Sequence, residues 1–236
     1  IELFEKRVVE RLGAVSSELD ERGRVVIDTI SARLQDINET LAGARRRGFT
    51  PAAVRAFTER IGVSKSESWI DMGVLEDCVR NHLNEVAPRR IAVLDPVKLV
   101  IDNYPPGQTE PCEAPNHPQQ PGMGTRQLLF AKELWIERED FMVTPSKGYF
   151  RLYPGNRVRL RYGYVVECTG FEQDAQGQVI AVHCRYFPDS HSGSPGADQY
   201  KVKGNVHWVA VEAALQREVR LYDRLFKVPN PGAGER

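Results

Sequence analysis

Apolar side chains recur every 11 residues at the start of the chain. Phe4, Val15, Val26 and Ile37 form one series, and Val8, Leu19, Ile30 and Leu41 a second. That period keeps an apolar stripe nearly in line along a straight helix and favours a slight right-handed supercoil in a bundle. It predicts one long amphipathic helix over residues 1–39, weakened at Gly13 and Gly23. Two readings of the stripe stay open: pairing with a copy or a partner, or packing on its own domain. Thr50-Pro51 then reads as an N-cap followed by a first-turn proline, with Val54, Phe57 and Ile61 as the buried side and Gly62 as the stop. Asp71 is placed to cap a further helix through Val74, Leu75, Cys78, Val79 and Leu83, which ends before Pro88.

From Arg90 the period changes. β-branched and aromatic residues alternate with polar ones, and Gly, Pro, Asn and Asp punctuate the runs. The pattern predicts strands at Ile91–Leu94, Leu99–Asn103, Glu133–Arg138, Tyr149–Leu152, Arg157–Cys168, Val179–Tyr186, Lys201–Val209 and Val219–Phe226. Asp174-Ala175-Gln176-Gly177 reads as a hairpin turn. Pro105–Gly124 and Pro188–Asp198 read as long loops, and Pro229-Asn230-Pro231-Gly232 as a terminator. Many short strands with such turns suggest barrels or a sandwich.

Lys+Arg and Asp+Glu each total 32, so the formal net charge is zero and any nucleic-acid role must come from local clustering. Hydrophobic residues at 41% and charged ones at 27% fit a folded, soluble protein, and no apolar run is long enough to span a membrane. There is no secretory signal pattern, and because the chain opens on Ile1 an N-terminal part is expected to be missing. The four cysteines form no CxxC pair, which predicts isolated reduced thiols and no metal site.

Catalytic motifs are not evident. Gly122-Met123-Gly124 starts like a dinucleotide fingerprint, but Gln127 stands where its third glycine belongs. The glycines around Ser194 have the wrong spacing for a nucleophile elbow. The five histidines are scattered. The stronger signal is electrostatic. No acidic residue falls between Pro145 and Val166, while Lys147, Arg151, Arg157, Arg159 and Arg161 do. On a strand, Arg157, Arg159 and Arg161 would project from one face, since side chains alternate. Tyr149, Phe150, Tyr153, Tyr162 and Tyr164 lie among them. Guanidinium forks and aromatic faces are the tools of single-stranded RNA recognition. The competing reading is a solvated strand face balanced by neighbouring glutamates. Arg45-Arg46-Arg47 is a second basic group, suited to phosphates or to a solvated helix end.

Several ordered runs resemble the C-terminal half of glutaminyl-tRNA synthetase. They include Thr-Leu-Ala-Gly-Ala-Arg-Arg-Arg-Gly-Phe-Thr-Pro (40–51), Leu-Asn-Glu-Val-Ala-Pro-Arg-Arg-Ile-Ala-Val-Leu-Asp-Pro-Val-Lys (83–98) and Asn-His-Pro (116–118). Trp-Ile-Glu-Arg-Glu-Asp-Phe (135–141), Val-Arg-Leu-Arg-Tyr-Gly-Tyr (158–164), Lys-Val-Lys-Gly-Asn-Val-His-Trp-Val (201–209) and Arg-Leu-Tyr-Asp-Arg-Leu-Phe (220–226) continue the match. It runs collinearly from about Thr40 to Pro231; residues 1–39 match nothing in the family. The archaeal and eukaryotic type of glutamyl-tRNA synthetase is the nearest competitor.

The resemblance implies a multi-domain α+β fold. A helical subdomain at 40–88 would be followed by two mainly antiparallel β-barrels of the ribosomal L25-like type. The first barrel, at 89–144 plus 212–231, would be incomplete, and the second would occupy 145–211. It also implies site roles. Arg89 would read the second anticodon base, Arg151 the third, and Arg159 and Arg161 the first, with Asn84 at the anticodon loop. Where family members use Gln and Lys at the third base, this chain has Gly148 and Phe150, and Gln119 replaces a loop-contacting Asn. Third-base reading then falls to Arg151 or to stacking on Phe150, with Gln119 and Lys147 as further stacking or backbone contacts.

The resemblance implies glutamine tRNA as partner and a cytoplasmic setting. The full-length enzyme uses ATP and Mg, and no cofactor is expected in this chain. The catalytic nucleotide-binding domain lies outside the match, and Val63-Ser64-Lys65-Ser66 aligns with a helical segment rather than with the family's KMSKS signature. The chain would therefore select tRNA within a glutamine–tRNA ligase without making bonds. The alternative is a non-catalytic RNA-binding adaptor that self-associates through residues 1–39.

Overall fold

The computed structural model describes residues 2–62 and 69–223, with side chains from Ser17 onward except Leu19. The chain divides into two compact units, Ile1–Val86 and Ala87–Arg236. The first is helical. α1 (Glu2–Arg46) is one uninterrupted helix, so the expected end at residue 39 is corrected. The turn closes only at Gly48, which adopts φ 83° and whose N–H donates to the Arg45 carbonyl. Val26, Ile30, Ile37 and Leu41 of the 11-residue series are all more than half exposed.

α2 (Pro51–Ile61) starts as the sequence implies. Thr50 is extended, and its hydroxyl accepts from the Ala53 N–H at 3.1 Å. The same oxygen lies 2.9 Å from His82 Nδ1, tying the start of α2 to α3 (Met72–Val86). Gly62 closes α2 at φ 66°, a left-handed value that glycine adopts without a Cβ clash. Asp71 caps α3 through Oδ1 to the Gly73 N–H at 2.7 Å. The inward residues of α2 differ from expectation: Ala53 is buried, whereas Val54 and Ile61 are exposed. Cys78 and Val79 are the buried residues of α3.

The second unit holds a curled seven-stranded sheet and a two-stranded ribbon. The strands are β1 (Pro96–Ile101), β2 (Glu110–Pro115), β3 (Thr125–Phe130), β4 (Glu133–Glu137), β5 (Arg157–Leu160), β6 (Val165–Gln173), β7 (Val179–Tyr186), β8 (Gly204–Val206) and β9 (Val209–Ala210). The large sheet runs β8-β5-β6-β7-β1-β4-β9, and β2 pairs with β3. Pairing is antiparallel except for β1 with β7 and β5 with β8. The β6–β7 hairpin turns where expected. Asp174 Oδ1 accepts from the N–H groups of Gln176 and Gln178, and Gly177 takes φ 80°.

Four expected strands change. Ile91–Leu94 forms no strand, and Tyr149–Leu152 contributes only a bridge between Leu152 and Phe141. Arg157–Cys168 is two strands around a tight turn, because Tyr162 has φ 66°. Lys201–Val209 shortens to β8 and β9. The ribbon was missed, since Pro111 and Pro115 read as loop; a two-stranded ribbon tolerates prolines that a central strand would not. Residues 219–223 form no strand, and 224–226, the 229–232 terminator and the 63–66 run lie outside the described residues.

The core sits on one face of the large sheet. Leu99, Ile101, Leu134, Ile136, Val158, Leu160 and Trp208 are buried, joined by Phe130 from the ribbon. Phe130 meets Tyr104, Tyr164 and Trp208 with ring centroids 4.9 to 5.3 Å apart. Burial of so many large side chains is the main force on this unit. The cysteines are free, as expected, and buried, but they are not all isolated: Cys168 and Cys184 face each other across β6 and β7. No helix among the described residues is long and apolar enough to cross a membrane.

Candidate nucleic-acid interface

β5 alternates strictly. Val158 and Leu160 are buried, so Arg157 and Arg159 project from the opposite face. The three arginines of this run then part company, which corrects the expectation of three equivalent groups. Arg157 Nε donates to Glu167 Oε2, and Arg185 Nη2 donates to Glu167 Oε1 at 2.9 Å. Both guanidinium groups lie over the Phe187 ring, at 4.7 and 5.6 Å. The hydrogen bond from Arg157 is the leading reason that the Glu167 carboxyl is held below its ordinary value. Arg157 is thus part of the sheet's own structure.

Arg159 meets neutral oxygens rather than carboxylates. Nη1 donates to the Ser190 carbonyl at 2.8 Å, and Nη2 to the Ala197 carbonyl at 3.0 Å. This fastens the 188–199 segment against β5. Arg159 also lines an open cleft of about 410 Å³ with Asp198, Tyr200, Lys201, Lys203 and Asn205. Asn205 is the parallel-strand partner of Arg159. Arg161 lies just past β5. Its guanidinium stands 5.2 Å from the centroid of the Tyr162 ring, and its carbonyl accepts from Trp208 Nε1 at 3.0 Å. The backbone of this exposed arginine is therefore pinned to the buried aromatic core.

Phe150 is 53% exposed, with Lys203 Nζ 5.0 Å from its ring centroid. Gly204 makes this approach possible, since a Cβ there would collide with the Phe150 carbonyl. Next to it, Arg151 Nη1 reaches Glu139 Oε1 at 3.0 Å and Asp140 Oδ1 at 2.7 Å. The Arg89 N–H donates to the Asn116 carbonyl at 2.6 Å. Lys147 and Gln119 are exposed, and the Gln119 N–H donates to His117 Nδ1 at 3.1 Å. Asn84 lies on α3, exposed, in the helical unit. Among the described residues there is no group of three or more His, Cys, Asp or Glu that could hold a metal.

Two family models match, both described as the anti-codon binding domain of class I tRNA synthetases (E and Q), at residues 87–187 and 205–236. The chain belongs to this anticodon-binding family. Its relatives include the glutamine–tRNA ligase of Cupriavidus metallidurans, 62% identical over 195 residues, which are 83% of this chain and 34% of that protein. That of Ralstonia pickettii is 61% identical over 197 residues, 84% and 34% of the two chains. That of Nitrosomonas europaea is 54% identical over 213 residues, 88% and 38%. The chain thus spans about a third of the length of the curated relatives it matches.

Sequence reasoning singled out Arg159 in this cleft but passed over Lys201, Lys203 and Asn205, which share it. Their signal was present in the Lys-Val-Lys-Gly-Asn run. It read only as family likeness, because nothing local says that β8 lies beside β5.

Proposed function

We propose that the chain selects glutamine tRNA by its anticodon, as part of a ligase that attaches glutamine to that tRNA at the expense of ATP. ATP and Mg would serve the ligation in the full-length enzyme, in the cytoplasm, and no residue of this chain is assigned to them. In this reading Arg159 and Arg161 serve the first anticodon base, Arg89 the second and Arg151 the third. Asn84 lies at the loop, and Phe150, Gln119 and Lys147 supply stacking or backbone contacts. In this reading residues 145–211 carry the first- and third-base contacts and 89–144 the second-base contact, two regions that share the large sheet where β1 pairs with β7 and β4 with β9.

The observation that carries the reading is the surface built on β5. Arg159 and Arg161 make no ion pair with a carboxylate among the described residues; Lys201 and Lys203 line the Arg159 cleft along with Asp198, Lys203 stands beside the Phe150 ring, and Arg161 beside that of Tyr162. Cations beside aromatic faces suit unpaired nucleotides, whose bases stack and whose edges accept hydrogen bonds. Binding of glutamine tRNA and of anticodon-swapped versions is the test. The wild-type chain should prefer the cognate anticodon, and equal binding to all would refute the reading.

A second reading rests on α1. Its exposed Val26, Ile30, Ile37 and Leu41 would suit an RNA-binding adaptor that self-associates through this helix. Light scattering after size exclusion decides it, since a monomer would exclude the arm.

A further inference from the structure

Two arginines outside the anticodon assignments stand out on the second unit. Arg126 on β3 donates Nη1 to the Pro115 carbonyl at 2.7 Å. Arg90 donates Nη1 to Oδ1 of the next residue, Asn116, at 3.1 Å, and to the Arg89 carbonyl at 2.8 Å. Asn116 is itself fixed. Its Nδ2 donates to the carbonyls of Met123 and Thr125, and its backbone N–H to that of Gly124. Both guanidinium groups are therefore held at adjacent residues of one rigid corner.

Arg161, just past β5 of the large sheet, lies near enough to Arg126 to act on its charge. Along β3, Arg126, Leu128 and Phe130 share the inward face, exposed residues alternating with them. Phe130 lies against the 161–164 turn, with its ring 4.9 Å from Tyr164 and 5.3 Å from Trp208, the indole that holds the Arg161 carbonyl. The charge environment of Arg126 reflects this. Burial, then Arg90, lower its affinity for a proton; Arg161 lowers it further, and Tyr162 opposes them. No carboxylate figures among those influences. None of Arg90, Arg126 and Arg161 makes an ion pair with Asp or Glu among the described residues.

We propose that Arg90 and Arg126, beside Arg161, form a seat for a backbone phosphate of the bound tRNA. Three neighbouring cations without a counter-charge repel one another, and a phosphodiester would offset that repulsion while accepting charge-assisted hydrogen bonds. The seat is a point of charge, not a planar array for a base edge, because each Nη1 of Arg90 and Arg126 is already given to a protein oxygen. Its role is to set the register of the RNA while other residues read bases. The inference rests on the tRNA-binding reading above and adds residues and a contact type to it.

The full chain is titrated with glutamine tRNA and an anticodon-swapped tRNA across a salt series, as wild type, Arg90→Gln, Arg126→Gln and Arg126→Lys. Arg90→Gln and Arg126→Gln should each weaken binding about tenfold and equally for both tRNAs. The slope of log affinity on log salt should drop, by up to about 0.7 to 0.9 for the one phosphate that the seat neutralises. Arg126→Lys should keep most of the slope. An unchanged slope for Arg90→Gln, or a loss confined to the cognate anticodon, overturns the seat. Arg90 is exposed, so its variant keeps the test decisive if Arg126→Gln does not fold. The two ideas fail separately. If wild type discriminates anticodons but the variants match it, only the seat falls. If wild type does not discriminate but the variants lose slope, only the anticodon reading falls.

Discussion

Arg151 Nη1 lies 2.7 Å from Oδ1 of Asp140, a carboxylate whose side chain is 4% exposed. Asp140 Oδ2 has no hydrogen-bond partner, and burial raises the Asp140 pKa while Arg151 pulls it down. The residue assigned to the third anticodon base is thus also the counter-charge of a buried acid. Arg151→Ala should destabilise the chain by about 1–3 kcal/mol near neutral pH. Loss of Arg151 lifts the folded-state pKa of Asp140 further, so the native state holds a proton that the unfolded chain releases. The deficit should therefore grow as pH rises from the ordinary carboxylate range through that raised value, and shrink in acid. Urea denaturation across pH reads it; a deficit independent of pH would disprove the coupling.

Gly204 packs under the Phe150 carbonyl and against Val158, whose Cγ1 would lie 2.7 Å from an added Cβ. Gly204→Ala must push β8 away from both. A loss of about 1–3 kcal/mol is expected, as for an overpacked core. RNA affinity should fall with it, because Phe150 and Lys203 move together. A variant with wild-type stability in a thermal melt would show that the strand yields freely.

Tyr162 holds a left-handed φ of 66° beneath the Arg161 guanidinium. Such a conformation costs a side-chain-bearing residue about 1–2 kcal/mol, and glycine avoids that at an entropic cost of about 0.5–1 kcal/mol. Tyr162→Gly should leave stability within about 1 kcal/mol of wild type on this balance. Cognate tRNA binding should still drop, since the platform under Arg161 is gone. Parallel melting and binding measurements separate the two effects, and unchanged binding would remove Tyr162 from the interface.

His183 on β7 bridges two acids, with Nδ1 2.9 Å from Asp102 and Nε2 3.0 Å from Glu172. The hydrogen bond to Asp102, then that to Glu172, raise its pKa above the ordinary 6.5. The native state therefore favours the imidazolium. Its contribution is complete below about 6.5 and is lost as pH rises through the folded-state value. His183→Gln should remove this contribution, giving a flatter fall in stability between mildly acidic and alkaline pH than wild type shows. Equal slopes for the two proteins would count against the bridge.

The sequence alone determined what depends on near neighbours. The apolar period wrote α1, Thr50-Pro51 and Asp71 wrote the helix starts, and Asp174–Gly177 wrote the hairpin with β7 as read. It also showed where cations and aromatic rings gather. Tertiary structure decided the rest, because a strand's alternation names a face but no neighbour. The prolines of β2 hid a ribbon that only its register with β3 makes regular. The parallel joining of β1 to β7 has no local mark at all. The arginines of β5 show the same limit. Arg157 finds its carboxylate on the neighbouring strand, whereas Arg159 finds a carbonyl 38 residues away. A guanidinium's role is set by the oxygens the fold brings to it, and those oxygens come from segments that local pattern cannot place side by side.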